Sequence, residues 1–183
     1  KPVASGCEFR DGQLVSPDAV ALWEAAARPC ALEQVCPQLF AAPLAPHLAA
    51  RVEGRRVDRA LLRTGIEIWR ESCDIVLVEG AGGLMSPVSD EDYNADLAAE
   101  SGYPLVIVAA NELGTINATL QTLIAARLHG GGLRVAGVVR PGGEGGRRDL
   151  APFPALAAPG AGARPPDPSN PATFAASGLD WAE

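Results

Sequence analysis

A carboxylate stands at the end of an apolar run, where Asp74–Val78 is followed by Glu79, Gly80, Ala81 and Gly82. The run has the length and the β-branched content of a buried parallel strand, so we expect Glu79 at a strand tip. A carboxylate in that position can bind magnesium, and the glycines that follow let a nucleotide phosphate approach the backbone. A glycine-rich turn with a solvated glutamate would have the same sequence.

A second candidate anion site lies at the start of a predicted helix. Leu113–Asn117 joins the apolar run Leu105–Ala110 to a helix expected over Thr115–His129. The unpaired amides of that helix's first turn can receive a carboxylate or a phosphate, next to Thr115 and Asn117. Ordinary helix capping by Thr115 explains the same pattern.

Three further candidates lie in the first eighteen residues. Lys1, four positions before Ser5, can neutralise an anion as a compact point charge, although a single lysine is more commonly a solvated surface residue. Ser16 and Pro17 predict a helix start, with Ser16 as the N-cap. Asp18 would then lie in the first turn of that helix, where an acidic side chain stabilises the helix N-terminus without any role in a site.

The elements that position these residues alternate between helices and apolar runs. Besides the segments above, we predict a strand end at Lys1–Ser5, helices at Ala19–Arg28, Val57–Ser72 and Ala95–Ser101, short helical pieces within 29–55, and a strand at Leu133–Val139. This order predicts an α/β fold, a doubly wound and mostly parallel sheet with helices on both faces. In such sheets ligands bind at the carboxyl ends of the strands.

The composition changes after residue 140. Half of the chain's 16 prolines lie between Pro141 and Pro171, which argues against a long helix or a central strand there. We therefore predict one α/β domain over residues 1–140. Residues 141–183 form a divergent Pro/Gly-rich segment that packs on that domain or trails from it.

Charge and cysteine content restrict the class of protein. A net charge of −7 over 183 residues argues against nucleic acid as a partner, and no apolar run is long enough to cross a membrane. The four cysteines form no Cys-x-x-Cys pair and lie far from either histidine, which argues against a zinc site. Free thiols in a reducing cytosol are the simplest interpretation.

Five motifs in order resemble the ATP-dependent dethiobiotin synthetase family. They are Lys-Pro-Val-Ala-Ser-Gly at residues 1–6, Ser-Pro-Asp-Ala at 16–19, Ala-Pro-Leu-Ala-Pro-His-Leu-Ala-Ala at 42–50, Val-Glu-Gly-Ala-Gly-Gly at 78–83 and Leu-Gly-Thr-Ile-Asn at 113–117. The resemblance runs from Lys1 to about Val139 and is poor beyond that point. It is specific because the five motifs agree in both order and spacing.

The resemblance implies a P-loop ligase that works as a homodimer in the cytoplasm and uses ATP and magnesium. It implies that CO2 is joined to 7,8-diaminononanoate: one amine takes up CO2, and the carbamate attacks the γ-phosphate of ATP to give a mixed anhydride. The second amine then closes the ureido ring and phosphate leaves. The implied partners are these small molecules and a second copy of the chain.

The resemblance also assigns roles to residues. Lys1 matches the catalytic lysine, whose charge brings the anionic carbamate and phosphoryl oxygens together. Asp18 and Glu79 match the two carboxylates that hold magnesium, and with Gly80, Ala81 and Gly82 they match the nucleotide-binding positions.

The substrate-binding positions are matched at both ends of the resemblance. Ser5 corresponds to the hydroxyl that touches the diamine. Thr115 and Asn117 correspond to the helix start that receives the substrate's carboxylate end. In the family, this helix start is contributed by the partner subunit.

Two departures from the family pattern stand out. No G-x-x-x-x-G-K-[ST] sequence occurs in the chain, whereas the family's first strand and glycine-rich loop would precede Lys1. We therefore expect that the sequence is truncated at its N-terminus and that this chain by itself has impaired activity. After Val139, Arg140 and Pro141 stand where the family usually has an asparagine that reads adenine, so nucleotide selectivity stays open.

Two alternatives remain. One is a non-catalytic remnant or dimerisation module that keeps the substrate face but does not bind ATP. The other is a related P-loop ligase or amidotransferase acting on another substrate, against which the Leu-Gly-Thr-Ile-Asn match speaks. The coding sequence upstream of Lys1 separates the first alternative from the ligase.

Overall fold

The computed structural model of the chain describes residues 1–140 and contains both helices and strands. The strands are β1 (Glu8–Arg10), β2 (Gln13–Val15), β3 (Leu105–Val108) and β4 (Val135–Val139). The helices are α1 (Pro17–Ala25), α2 (Leu32–Val35), α3 (Pro46–Val52), α4 (Arg59–Glu67), α5 (Asn94–Ser101) and α6 (Thr115–Leu128), followed by a 3-10 turn at His129–Gly131. The described residues divide into two compact units.

The first unit comprises Lys1–Pro104 and Leu120–Arg134 and contains the main core. That core is built from apolar side chains of the N-terminal segment, α3, α4, α5 and the loops beside them: Val3, Phe40, Ala49, Ala50, Leu62, Val88 and Leu97. A smaller cluster packs Cys7 and Cys36 against Ala4 and Ala19 of α1. The helices of the unit are therefore held by burial of their apolar faces.

The N-terminal segment is extended, as predicted, and pairs with one later segment. Ala4 N donates to Gln38 O at 2.9 Å, and Phe40 N donates to Ala4 O at 3.0 Å. These bonds make a parallel bridge between Ala4 and Leu39. Because Val3 and Ala4 are each only 1% exposed, the segment is fixed by burial as well as by hydrogen bonds.

A hairpin that we did not predict follows this segment. Strands β1 and β2 pair antiparallel, with Arg10 opposite Gln13. The two residues of the turn, Asp11 and Gly12, have φ of 50° and 79°, the left-handed values that a two-residue hairpin turn requires. The Asp-Gly pair was the available signal for this hairpin.

Local capping signals place the start of α1 correctly but not its end. Ser16 Oγ accepts from Ala19 N at 3.2 Å, with Pro17 at the first helical position, as predicted. Helix α1 nevertheless ends at Ala25 instead of Arg28, because Ala27 and Arg28 adopt left-handed φ of 61° and 55°.

Helix α4 departs from its predicted bounds, whereas α5 keeps its predicted end. Asp58 Oδ1 caps α4 by accepting from Leu61 N at 3.0 Å, so this helix begins at Arg59 instead of Val57; it ends at Glu67, before the predicted Ser72. Helix α5 ends at Ser101, as predicted, because Gly102 adopts the left-handed conformation with φ of 69°.

A buried carboxylate joins α4 to the loop before α5. The side chain of Asp92 is 3% exposed and accepts from Arg59 Nε at 2.6 Å, Arg63 Nη2 at 3.0 Å and Ser89 Oγ at 2.6 Å. The hydrogen bond from Arg59, assisted by those from Arg63 and Ser89, holds the pKa of Asp92 well below its usual range in spite of burial. Nothing in the periodicity of the sequence predicted this network.

The second unit comprises Leu105–Thr119 and, among the described residues, 135–140. In it β3 and β4 pair parallel, with Ile107 opposite Val138, and α6 connects them along the chain. Parallel strands joined through a helix confirm the predicted α/β class. The strands are somewhat shorter than the predicted Leu105–Ala110 and Leu133–Val139.

The strand predicted at Asp74–Val78 is wrong. These residues form no strand: no described residue forms a backbone hydrogen bond with them, and Ile75 and Leu77 are 80% and 83% exposed. β-branched content gives a segment only a propensity, and a strand also needs a partner that supplies a ladder of N–H and C=O groups. Glu79 therefore follows an irregular segment and does not stand at a strand tip.

Two further predictions concern the chain as a whole. Within residues 1–140, no helix combines the length and the apolar character that a bilayer crossing needs. The Pro/Gly-rich segment predicted at 141–183 lies outside the described residues, and the boundary at residue 140 stays a prediction.

Candidate functional site

Three of the predicted site residues meet at one point in the first unit. The Lys1 ammonium lies 2.8 Å from Asp18 Oδ2 and 2.6 Å from Glu79 Oε1, and it donates to Gly80 O at 3.1 Å. An ammonium group has three hydrogens, so these three oxygens account for its full donor capacity. Residues 78 positions apart in the sequence are thus joined by a single nitrogen.

The backbone around each partner explains this convergence. Lys1 extends from the segment that is anchored by buried Val3 and Ala4. Asp18 lies in the first turn of α1, whose start is fixed by the Ser16 cap. Glu79 and Gly80 open the glycine-rich turn, in which Gly82 has φ of 80°. Each ionic group is therefore carried by a fixed piece of backbone.

The three ionic groups differ in exposure. The Lys1 side chain is only 5% exposed, whereas those of Asp18 and Glu79 are 61% and 51% exposed. Burial by itself lowers the pKa of the Lys1 ammonium, but the hydrogen bonds to Asp18 and Glu79 outweigh burial and raise it above its ordinary value. Lys1 is therefore a shielded cation at neutral pH, while the two carboxylates face solvent.

The donor set suits a magnesium ion. Magnesium binds through one or two carboxylates and completes its octahedron with water and substrate phosphates. Asp18 and Glu79 offer two carboxylates with oxygens near the same nitrogen, both open to solvent, and the Gly80 carbonyl adds a third hard oxygen. No side-chain nitrogen or sulfur other than Lys1 Nζ approaches these oxygens within hydrogen-bonding distance among the described residues.

The turn that carries Glu79 is tied to the start of α5. Asn94 Nδ2 donates to Ala81 O at 2.9 Å and to Gly83 O at 2.8 Å. Ser86 Oγ accepts from Gly83 N at 2.9 Å, which closes the turn from its other side. Sequence reasoning did not single out Asn94, because its neighbours in the chain give no signal of a contact with residues 81–83.

Ser5 belongs to the same unit but forms no hydrogen bond with Lys1, Asp18 or Glu79. It ends the N-terminal segment, is partly buried, and its hydroxyl forms no hydrogen bond with a described residue. The next residue, Gly6, has φ of 68° and donates to Ala42 O at 3.0 Å, so the backbone turns immediately after Ser5. A free hydroxyl at this position is available to a ligand.

Thr115 and Asn117 lie in the second unit, at the start of α6. Thr115 is partly buried and its amide donates to Glu112 O at 3.1 Å, whereas Asn117 is exposed. Gly114, with φ of 95°, makes the turn into the helix, and Leu113 before it is fully exposed. The predicted helix start is thus present, with a large apolar side chain beside it.

The chain matches known proteins over most of its length. The model of a family described as "AAA domain" matches residues 1–145. Over 150 residues the chain is 45% identical to the ATP-dependent dethiobiotin synthetase BioD of Rhodopirellula baltica, which covers 76% of the chain and 58% of that relative. The synthetases of the same name from Aromatoleum aromaticum and Serratia marcescens are 40% and 38% identical, covering 75% and 81% of the chain.

The chain spans 58% to 65% of the length of these three curated relatives. Their shared name confirms the resemblance to dethiobiotin synthetases that the five motifs indicated, and the family match agrees with the α/β class of the fold. Since the family model covers residues 1–145 of 183, the chain belongs to the AAA domain family and is similar within it to ATP-dependent dethiobiotin synthetases.

Proposed function

We propose that this chain is the greater part of an ATP-dependent dethiobiotin synthetase, which carboxylates 7,8-diaminononanoate with CO2 and closes the ureido ring. The observation that carries the proposal is the meeting of Lys1, Asp18 and Glu79 at one point, in a chain 45% identical to a protein of that name. These are the residues to which the family resemblance assigns phosphoryl-transfer roles.

Lys1 is suited to stabilise charge that appears during the reaction. Its ammonium is shielded from water, so its field at a neighbouring oxygen is weakened little by solvent. A carbamate and a transferring phosphoryl group are both anionic and repel each other, and a fixed cation between them lowers that repulsion. The amines of the diamine are neutral or cationic before the reaction and gain nothing from this charge.

Lys1 can act on substrate only when one of its three present partners is replaced. The Gly80 carbonyl is part of the backbone and is held with its turn, but Asp18 and Glu79 are exposed and can rotate toward solvent or a metal ion. We propose that these two carboxylates bind magnesium with ATP. The ion would supply charge neutralisation for the phosphate oxygens.

The diamine would be held from two sides. Ser5 has an unbonded hydroxyl for an amine. The start of α6 at Thr115 and Asn117, where the Thr115 amide already donates to Glu112 O, would receive the substrate's carboxylate. We propose that the second group comes from a partner copy in a homodimer. Exposed Leu113 and Ile116 beside Thr115 support an interface there.

The cytoplasm is the compartment that we propose for this reaction. Cys7, Cys30, Cys36 and Cys73 are all free thiols in the structure, which suits a reducing environment. ATP and bicarbonate are both supplied there.

A chimera tests the proposal directly. The segment that precedes the matched region in the Rhodopirellula baltica relative would be fused ahead of Lys1, and the protein supplied with ATP, magnesium, 7,8-diaminononanoate and ¹⁴C-bicarbonate. We expect acid-stable ¹⁴C in dethiobiotin and phosphate release that depends on the diamine. The 183-residue chain alone serves as the control and should not turn over, since it contains no G-x-x-x-x-G-K-[ST] sequence.

Two outcomes would contradict the proposal. A chimera that neither binds ATP nor fixes carbon would favour the non-catalytic remnant or dimerisation module. A chimera that hydrolyses ATP in response to a different acceptor would favour the related ligase or amidotransferase. Robust turnover by the 183-residue chain alone would overturn the expectation that the phosphate-binding loop is needed.

A further inference from the structure

The side-chain amide of Asn94 holds the glycine-rich turn through two carbonyl groups. Its Nδ2 hydrogens go to Ala81 O at 2.9 Å and Gly83 O at 2.8 Å, so both of its donors are used. Because both partners are acceptors, the orientation of the amide is fixed by its bonding and the oxygen must face the other way. That oxygen, Oδ1, is buried without a hydrogen-bond partner among the described residues.

The unpaired oxygen packs against Gly80. A Cβ built on Gly80 would lie 2.5 Å from Asn94 Oδ1, a separation that no side chain at this position could accept without movement. Gly80 itself has no left-handed φ, so this contact and not backbone conformation is what requires glycine. Asn94 and Gly80 therefore fit each other closely.

Asn94 is itself well placed to act as a fixed point. Its backbone N donates to Ser86 O at 3.1 Å, and the next residue, Ala95, donates to Leu84 O at 2.9 Å. The Asp96 carboxylate caps the helix by accepting from Tyr93 N at 2.7 Å. The start of α5 and the turn are thus joined by backbone as well as side-chain bonds.

Gly80 connects the contacts of Asn94 to the ionic cluster of Lys1, Asp18 and Glu79. Gly80 O accepts from Lys1 Nζ at 3.1 Å, and Glu79, the residue before it, provides the closest carboxylate to that nitrogen. In a planar trans peptide the N–H points opposite to the C=O. With Ala81 O directed at Asn94, Gly82 N–H points away from α5, and it bonds no described residue.

We propose that Asn94 is a positioning residue for this turn: it keeps Glu79 and the Gly80 carbonyl against Lys1 and leaves Gly82 N–H directed outward for an anionic oxygen. The use of that arrangement, phosphate binding and phosphoryl transfer, rests on the proposed function. The positioning itself does not, and it is measurable without substrate.

Asn94→Asp separates positioning from a plain structural role. The two side chains have the same shape, and an aspartate in the first turn favours the helix, so α5 should be retained. A carboxylate cannot donate to Ala81 O or Gly83 O, and would repel both. If Asn94 serves only the helix, the substitution should be harmless; if Asn94 positions the turn, it should disturb Lys1.

Lys1 offers a direct readout because it is the only lysine in the chain. With ¹³C,¹⁵N-lysine, the 183-residue protein gives one side-chain ammonium signal, and slow exchange of its hydrogens reports the hydrogen bonds. Leu97→Val is the matched control, since it loosens the core beneath the same helix, against which Ala81 of the turn also packs, but leaves both hydrogen bonds of Asn94 to the turn in place. We expect Asn94→Asp to move the signal to the position of a free lysine with fast exchange, and Leu97→Val to leave it in place.

Gly80→Ala probes the contact from the other side. Its methyl group would press on Asn94 Oδ1, so the single variant should disturb the Lys1 signal as Asn94→Ala does. In the double variant the clash is absent, and we expect no greater disturbance than in Asn94→Ala alone. Additive effects in the double variant would show that the two residues act separately and would overturn the proposal.

The remaining outcomes are equally decisive. An unchanged Lys1 signal in folded Asn94→Asp would show that Asn94 serves α5 alone. An equal shift of the Lys1 signal in Leu97→Val would show that any loosening of α5 disturbs Lys1, and it would also contradict a positioning role for Asn94. A shift specific to Asn94→Asp, together with an inactive chimera, would refute the proposed function while leaving Asn94 as a positioning residue.

Discussion

Replacing Lys1 by glutamine in the active chimera should abolish most of the rate while leaving the fold almost unchanged. The substitution keeps a long polar side chain but removes the one positive charge between Asp18 and Glu79. An interaction formed mainly with anionic species along the reaction lowers the barrier more than it strengthens substrate binding. The expected signature is therefore a fall in kcat with little change in KM for the diamine.

The expected losses of kcat and of folding stability follow from how exposed the three side chains are. Lys1 is 5% exposed, so loss of its charge resembles loss of a preorganised donor, which costs roughly 10²- to 10³-fold in kcat, or about 3–4 kcal/mol. Its partners Asp18 and Glu79 are 61% and 51% exposed, so solvent screens the pairs and their loss should cost at most about 1 kcal/mol of folding stability. The effect on rate should thus exceed the effect on stability several-fold.

Steady-state kinetics with varied diamine, beside thermal unfolding of the same proteins, measures both quantities. Arg28→Gln is the matched control, because it removes an equal charge from an exposed pair with Glu24. Lys1→Arg should restore the rate only in part, since a broad planar guanidinium does not reproduce a compact ammonium. If Lys1→Gln kept kcat and raised only KM, Lys1 would be a binding residue and the reasoning would be wrong.

Three other predictions concern single side chains. Glu79→Gln in the chimera should raise the magnesium concentration needed for half-maximal rate, and an unchanged magnesium titration would remove Glu79 from the metal site. Asp92→Asn should destabilise the chain at pH 7 by about 2–3 kcal/mol, somewhat less than for a fully buried pair because the arginines are partly exposed. Because folding lowers the pKa of Asp92, this stability is full above the ordinary aspartate value near 3.8 and is lost as pH falls below it, so urea unfolding at pH 7 and pH 3 should show the variant's deficit shrinking in acid. Burial raises the pKa of Cys36 to about 11, so iodoacetamide at pH 8 should label exposed Cys73 first and Cys36 only in urea, as read by peptide mass mapping.

The sequence predicted best those features that depend on a few neighbouring residues. The Ser16 cap of α1 and the Gly102 end of α5 are both present, because each arises from one residue's own hydrogen bonding or backbone conformation. The same reasoning could have found the hairpin turn at Asp11 and Gly12, and we overlooked it. Features that depend on local hydrogen bonding or backbone conformation can be predicted without knowing the rest of the fold.

The sequence predicted poorly those features that depend on pairing or packing between residues distant in the chain. Asp74–Val78 has the composition of a buried strand, yet no described residue pairs with it and Leu77 is 83% exposed. Nothing in the neighbouring sequence marks Asn94, and only its distances to Ala81 and Gly83 show that it holds the turn. Pairing and close packing are properties of two segments, and neither segment alone contains them.

The candidate site falls between these two cases. Motif resemblance selected Lys1, Asp18 and Glu79 separately, but it did not predict that the ammonium would use all of its hydrogens on their oxygens and on Gly80 O. A saturated ammonium must release a partner before it can bind a carbamate or phosphoryl oxygen. The backbone carbonyl is tied through its turn to Asn94, so the exposed carboxylates are the partners that can leave. Lys1 and a metal ion would then share the same two carboxylates, which links the availability of the cation to the occupancy of the metal site.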